Sequence, residues 1–244
     1  MTNLQIEHLV ERWEDQRTIK NLMGKYVNCL LLNRQGEIFD GFWSERPDVS
    51  LTFNDGSYVG RPAVSGYYAA AVERNKLSAK LLKNRLPEKL GGRSEEELYG
   101  IGPFQVKPLT APVIEVAEDG QTAKGLWFSL GCSAEVTSRG PEANWTWGYF
   151  AGDFVYEEDD WKIWHLQYLC DVDSLCGQSW GREVIPYPEL PEFAALKDFS
   201  YPPYTVAENV RALYSADRPL TAAPRIPEPY DTFANTFSYG KAVD

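Results

Sequence analysis

The chain has 244 residues, 43% of them hydrophobic, enough for one substantial core or a core with an elaborated tail. A formal net charge of −11 argues against nucleic-acid backbones and anionic membrane surfaces as partners, since both attract basic proteins. No apolar run approaches the roughly 18–20 residues that span a bilayer. The opening stretch MTNLQIEHLVERWEDQR lacks the apolar centre of a signal peptide. Cys29, Cys132, Cys170 and Cys176 show no CxxC spacing. A cytoplasmic protein with reduced thiols is the expectation.

Residues 3–33 carry apolar side chains at helical spacing: Leu4, Leu9, Trp13, Ile19, Leu22, Met23, Tyr26 and Leu30. A short helix is expected at GEIFDGFW. The runs DVSLTF and GSYVG bracket NDG, a strong hairpin signal. Pro62 then stands where a helix begins, and AVSGYYAAAVERNKLSAKLLKNRL continues it for several turns. Residues 87–104 read as an inserted loop or short helix.

From residue 105 the period changes from helical to alternating. QVKPLTAPVIEVAEDGQTAKGLWFSLGCSAEVTS predicts two strands joined at EDGQ; ANWTWGYFAGDFVYE and WKIWHLQYLC predict two more joined at EDD. Helices followed by hairpin-linked strands indicate an α+β domain over residues 1–173, built on one antiparallel sheet. Beyond about Ser174 the pattern fails, and nine of the sixteen prolines lie between Pro186 and Pro229. Residues 174–244 are therefore expected as extended chain. Their aromatics (Trp180, Phe193, Phe199, Tyr204, Tyr214, Tyr230, Phe233, Phe237 and Tyr239) should pack on the domain or on a neighbouring subunit rather than sit in water.

Strand alternation places Trp161, Ile163, His165 and Gln167 on one face of the last strand, and Trp145, Trp147, Tyr149, Ala151 and Asp153 on one face of the strand before it. His165 is one of two histidines, and an imidazole beside a carboxylate suits proton transfer; a hydrogen-bonded structural histidine is the competing reading. His8 reads as a surface residue of the first helix. Lys107, between GPFQV and a proline, lies where its amine can enter a cavity. Desolvated there it would serve as base, as hydrogen-bond donor or as imine-forming amine, against the plainer reading of a solvated lysine. Asp153 is as readily exposed near its strand end. Trp147 and Tyr149 are candidate substrate contacts, with core packing as the alternative. The EEDD stretch at 157–160 reads as a solvated turn, since consecutive turn carboxylates rarely converge on a metal. YVGRPAVSGYY lacks the context of a phosphate loop. Neither a metal site nor a nucleotide site is expected from these residues.

The order helix, short helix, strand pair around FNDGSYVGRPAVSGYY, third helix and long strands resembles the nuclear transport factor 2-like superfamily. TAPVIEVAEDGQTAKGLWFSLG and YFAGDFVYEEDDWKIWHL are similar to the late strands of its SnoaL-like branch. The resemblance covers roughly residues 5–172. It implies a curved sheet forming a cone-like half-barrel, closed by N-terminal helices around an apolar pocket. It also implies a cofactor-independent lyase or isomerase acting on a hydrophobic aromatic or polycyclic alcohol, and a homotrimer or homodimer. Carried over by position, it puts Tyr26 at the tyrosine of the first helix and Asn28 or Asn33 where an aspartate is usual. Lys107 stands near the place of a sheet histidine. The expected catalytic set is then His165, Lys107, Tyr26 and Asp153, with Trp147, Tyr149, Asn33 and Tyr68 contacting substrate. A non-catalytic binding or assembly module of the same fold is the alternative.

Overall fold

The computed structural model describes residues 2–179, 186–208, 210–219 and 221–241, so Trp180 lies outside the described residues. Helix α1 (Asn3–Leu31) buries Ile19, Leu22, Met23, Tyr26 and Cys29, a stripe at i, i+3, i+4, i+7 and i+10. Its first half is different: Ile6, Leu9, Val10 and Trp13 share helical spacing but remain exposed, Trp13 at 78%. A 3₁₀ turn and α2 (Ile38–Phe42) lead to the hairpin β1 (Ser50–Thr52) and β2 (Gly56–Val59). Helix α3 (Arg61–Arg85) begins with Pro62 in its first turn and buries Val64, Tyr68, Asn75, Ser78, Ala79 and Leu82. Two four-residue helices, α4 (Pro87–Leu90) and α5 (Glu95–Leu98), occupy the stretch read as an insertion.

The expected first long strand is two pieces, β3 (Phe104–Val106) and β4 (Thr110–Val116). Pro108 lacks an N–H to continue the ladder, and β3 and β4 pair separately with β5 (Thr122–Thr137). β5 and β6 (Gly140–Glu157) run antiparallel over their whole length, and β7 (Asp160–Leu175) completes the long meander. The β6–β7 turn places Glu158 and Asp159 at φ 51° and 62°, a two-residue connection matching the sheet twist. The turn is not wholly solvated: Glu157 accepts hydrogen bonds from Ser44 Oγ and the Glu45 N–H at 2.9 and 3.1 Å.

The sheet order is β3-β5-β6-β7-β1-β2-β8, with β4 beside β5; β8 is Thr205–Val206. The pairing is antiparallel except that β1 runs parallel to β7, Ser50 opposite His165. The helices cover the concave side, where Ile19, Met23, Tyr26, Val64, Tyr68, Trp127, Phe150, Phe154, Ile163 and Leu166 form the main core.

The chain after β7 is mostly irregular and is anchored at separate points. A short helix α6 (Ala194–Lys197) follows Phe193, which is buried in a second cluster with Leu82, Leu98 and Val136. β8 extends the sheet beyond β2. Arg211 Nε reaches Asp171 at 3.0 Å, and residues 230–241 lie against the convex side of the sheet. No helix is long and apolar enough to cross a membrane among the described residues.

Candidate functional site

Two register shifts in β7 decide which side chains face the cavity. Asp153 pairs with His165 and Phe154 with Ile163, leaving Trp164 as an extra residue. Such a bulge puts consecutive residues on the same side and reverses the alternation beyond it. Trp161 and Ile163 face the concave core before the bulge, and Leu166 and Tyr168 face it afterwards. His165 is thereby separated from Trp161 and Ile163, contrary to simple alternation, and turns to the convex side with Asp153. A second shift, at Asp171 between Gly148 and Trp147, presents that carboxylate to Arg211 of the tail.

The four residues expected to act together therefore form two groups on opposite faces. The concave group is Lys107, Tyr26 and, as a wall, Tyr68. Two adjoining cavities of about 570 and 390 Å³ share Leu30, Phe53, Tyr67, Gln105 and Glu135. Tyr58, Tyr68, Arg74, Asn75 and Tyr201 line the larger; Tyr26, Lys107, Thr146, Phe150, Tyr168, Cys170 and Asp173 line the smaller. The walls are rings in mutual contact: Tyr67 lies 5.3 Å from Phe53 and 5.1 Å from Tyr58, and Tyr201 stacks on it at 5.3 Å. Tyr201 and Tyr204 come from the tail, and Tyr204 donates to Asp55 at 2.8 Å, so the segment after β7 builds part of the wall.

Lys107 is a buried cation of the smaller cavity, which the more exposed Arg139 also lines. The backbone just before Lys107 lies close against β5 at Gly131, where a Cβ would fall 2.1 Å from the Val106 carbonyl oxygen. Its Nζ donates to Tyr168 Oη at 2.6 Å and to Thr146 Oγ1 at 2.9 Å. Among the described residues it makes no ion pair. Burial pulls its pKa below the usual lysine value, and the attraction of Asp173 and Glu135 only partly offsets this. Burial likewise raises the Tyr168 phenol, which stays a neutral hydroxyl able to donate or relay a proton. Deeper in, Tyr26 and Tyr68 share a 3.2 Å hydrogen bond, and burial pushes Tyr26 up to about 12. Sequence reasoning missed Tyr168 and Thr146; the bulge that turns Tyr168 inward has no signature in the residue pattern.

The convex group is a closed polar cluster. Asp153, fully buried, accepts from Lys124 Nζ at 2.6 Å, Ser238 Oγ at 2.9 Å and the Tyr239 N–H at 2.8 Å, and pairs with His165 Nδ1 at 2.9 Å. Burial opposes its charge, but the His165 hydrogen bond and Lys124 outweigh it and hold the carboxyl below its ordinary pKa. Lys124, also fully buried, is ringed by Phe233, Phe237, Tyr239 and Tyr230 of the tail at 4.5, 4.6, 5.5 and 5.7 Å. His165 stacks on Trp164 at 4.4 Å, and Gly240 lies on it so closely that a Cβ would fall 2.6 Å from the ring.

The other expected contacts also divide. Trp147 and Tyr149 share the convex face with Ala151 and Asp153, outside the cavity lining. Asn33 is buried and donates to the carbonyls of Gly100 and Pro103, so it braces the mouth loop from behind. His8 is exposed and meets Glu118 at 3.3 Å. Among the described residues no cluster of His, Cys, Asp and Glu is arranged to hold a metal ion.

The SnoaL-like domain model matches residues 11–167, well over half of the chain. No curated protein matches the sequence. Among solved structures, the chain resembles a Mycobacterium tuberculosis protein of unknown function at 19% identity and a TM-score of 0.45, covering 78% of this chain and 89% of that one. It resembles an NTF2-like protein with a cystatin-like fold from Novosphingobium aromaticivorans at 13% and 0.43, covering 69% and 90%. A third is hexachlorocyclohexane dehydrochlorinase LinA-type3 from Novosphingobium barchaimii, at 12% and 0.46, covering 72% and 98%. The chain belongs to the SnoaL-like domain family.

Proposed function

We propose that this protein is a cofactor-independent lyase acting on a hydrophobic, ring-bearing alcohol by general acid–base catalysis. The observation that carries the reading is the buried Lys107 amine, without an ion-pair partner among the described residues, bonded to two hydroxyls inside an aromatic cavity. Burial lowers the pKa of this amine, so its free base forms at lower pH than that of a solvated lysine and can accept a proton. Tyr168 passes that proton on, and the Tyr26–Tyr68 pair donates to oxygen that gains charge as the bond breaks. The aromatic walls of Phe53, Tyr67 and Phe150 hold the rings. Loss of water, or retro-aldol loss of a small aldehyde such as formaldehyde, is the reaction class that this donor set serves.

The test is a panel of ring-bearing secondary and primary alcohols incubated with the purified full-length protein, with products read by mass spectrometry. Turnover abolished in Lys107→Met and reduced about 10²-fold or more in Tyr168→Phe supports the reading. Ligand binding with no conversion of any member would overturn it in favour of a binding module of the same fold.

A further inference from the structure

We propose, building on that reading of the cavity, that Lys107 acts covalently, capturing the carbonyl of a ring-bearing β-hydroxy ketone or aldehyde as an imine. Three observations meet at this side chain. Its amine opens on the cavity lined by Phe53, Tyr67 and Phe150, so a planar carbonyl compound held between these rings reaches it. Its two hydrogen-bond partners are hydroxyls, Tyr168 Oη at 2.6 Å and Thr146 Oγ1 at 2.9 Å. A carboxylate in their place would lock the nitrogen as an ammonium, whereas hydroxyls can take a proton from it and return one. Gly131 fixes the approach of the backbone that carries it.

The chemistry closes on these groups. The nitrogen lone pair attacks the carbonyl carbon, a C–N bond forms, and the carbonyl π pair moves to oxygen, which takes a proton relayed by Tyr168. The nitrogen gives up a proton, the new hydroxyl takes a second proton through the Tyr168 hydroxyl and leaves as water, and a protonated C=N bond remains. This iminium accepts the electron pair of the Cα–Cβ bond, which breaks as the β-hydroxyl passes its proton to Asp173 on the cavity wall and becomes a free aldehyde. The resulting enamine takes a proton at carbon, and water hydrolyses the imine to restore Lys107. No electrons are gained or lost overall, which suits a protein needing no redox partner for this step. Burial of the amine favours the first attack, since each unit of pKa depression raises the free-base fraction near neutrality about tenfold.

The experiment treats full-length protein with benzaldehyde and sodium cyanoborohydride at several pH values and maps the reduced adduct by peptide mass spectrometry. The expected result is labelling of Lys107 about tenfold or more faster than the exposed Lys76 and Lys197, rising with pH to a midpoint below that of Lys76, and absent from that position in Lys107→Arg. Labelling of Lys107 no faster than the exposed lysines overturns the proposal, and the wild-type peptide map decides this even if the variant fails to fold. Alcohol turnover retained without a Lys107 adduct rejects the imine and leaves acid–base catalysis standing. An adduct without turnover of any alcohol in the panel rejects the acid–base reading and leaves the reactive amine.

Discussion

Replacing Lys124 with methionine tests how the tail is held. The side chain volume is nearly kept, while the ammonium inside the ring of Phe233, Phe237, Tyr230 and Tyr239 is lost and Asp153 loses its 2.6 Å partner. Removing one member of a fully buried ion pair destabilises by about 3–5 kcal/mol, because the other charge stays behind uncompensated. Asp153 keeps Ser238 Oγ, the Tyr239 N–H and His165 Nδ1 as neighbours, so the lower end, about 3 kcal/mol, is expected here. In a chain of this size that corresponds to a fall in Tm of roughly 6–12 °C. The assay is a thermal melt followed by circular dichroism, paired with limited proteolysis of residues 221–241. The double variant K124M/D153N should recover part of the loss, since it removes the stranded charge as well. A single-variant shift under about 2 °C, or a double variant less stable than the sum of both singles, would refute the argument that this pair latches the tail.

Asp153 also sets a pH dependence. Its folded pKa lies below the unfolded value, so the stability it contributes is present above about pH 4 and is lost as pH falls through the folded value; Asp153→Asn should flatten the acid limb of a Tm–pH curve. His165→Gln should reduce Tm while changing turnover of a cavity substrate only a few-fold, because His165 faces the tail; a loss of 10²-fold or more at unchanged Tm would return it to the catalytic set. Gly131→Ala should displace the Val106–Lys107 backbone and abolish preferential Lys107 labelling while the far-ultraviolet spectrum is kept, and unchanged labelling would show that the close approach is not needed. The exposed stripe Ile6, Leu9, Val10 and Trp13 of α1 is expected to be covered in a homo-oligomer; light scattering should show Trp13→Glu shifted to lower mass, and a monomeric wild-type protein would end that expectation.

Much of the architecture is legible in local pattern. The stripe Ile19, Met23, Tyr26 repeats with the helical period, NDG marks the β1–β2 hairpin, and alternation marks β5 through β7, because each signal depends only on neighbours in the chain. The sequence offers Lys107 as a cavity candidate against a solvated lysine, and burial against Tyr168 and Thr146 decides between them. What the pattern does not carry is any event that changes register or joins distant segments. One extra residue at Trp164 moves His165 from the cavity to the opposite face and brings Tyr168 in; both sequences of faces fit the same string of aromatics, and only pairing with β6 selects between them. The tail is the second such case. Its aromatics require a surface, but that Tyr201 completes the cavity while Phe233, Phe237 and Tyr239 enclose Lys124 follows from contacts across up to 115 residues of sequence. Burying a lysine and an aspartate together is unfavourable until the strands that pair them and the segment that covers them are all in place. That condition belongs to the tertiary structure alone.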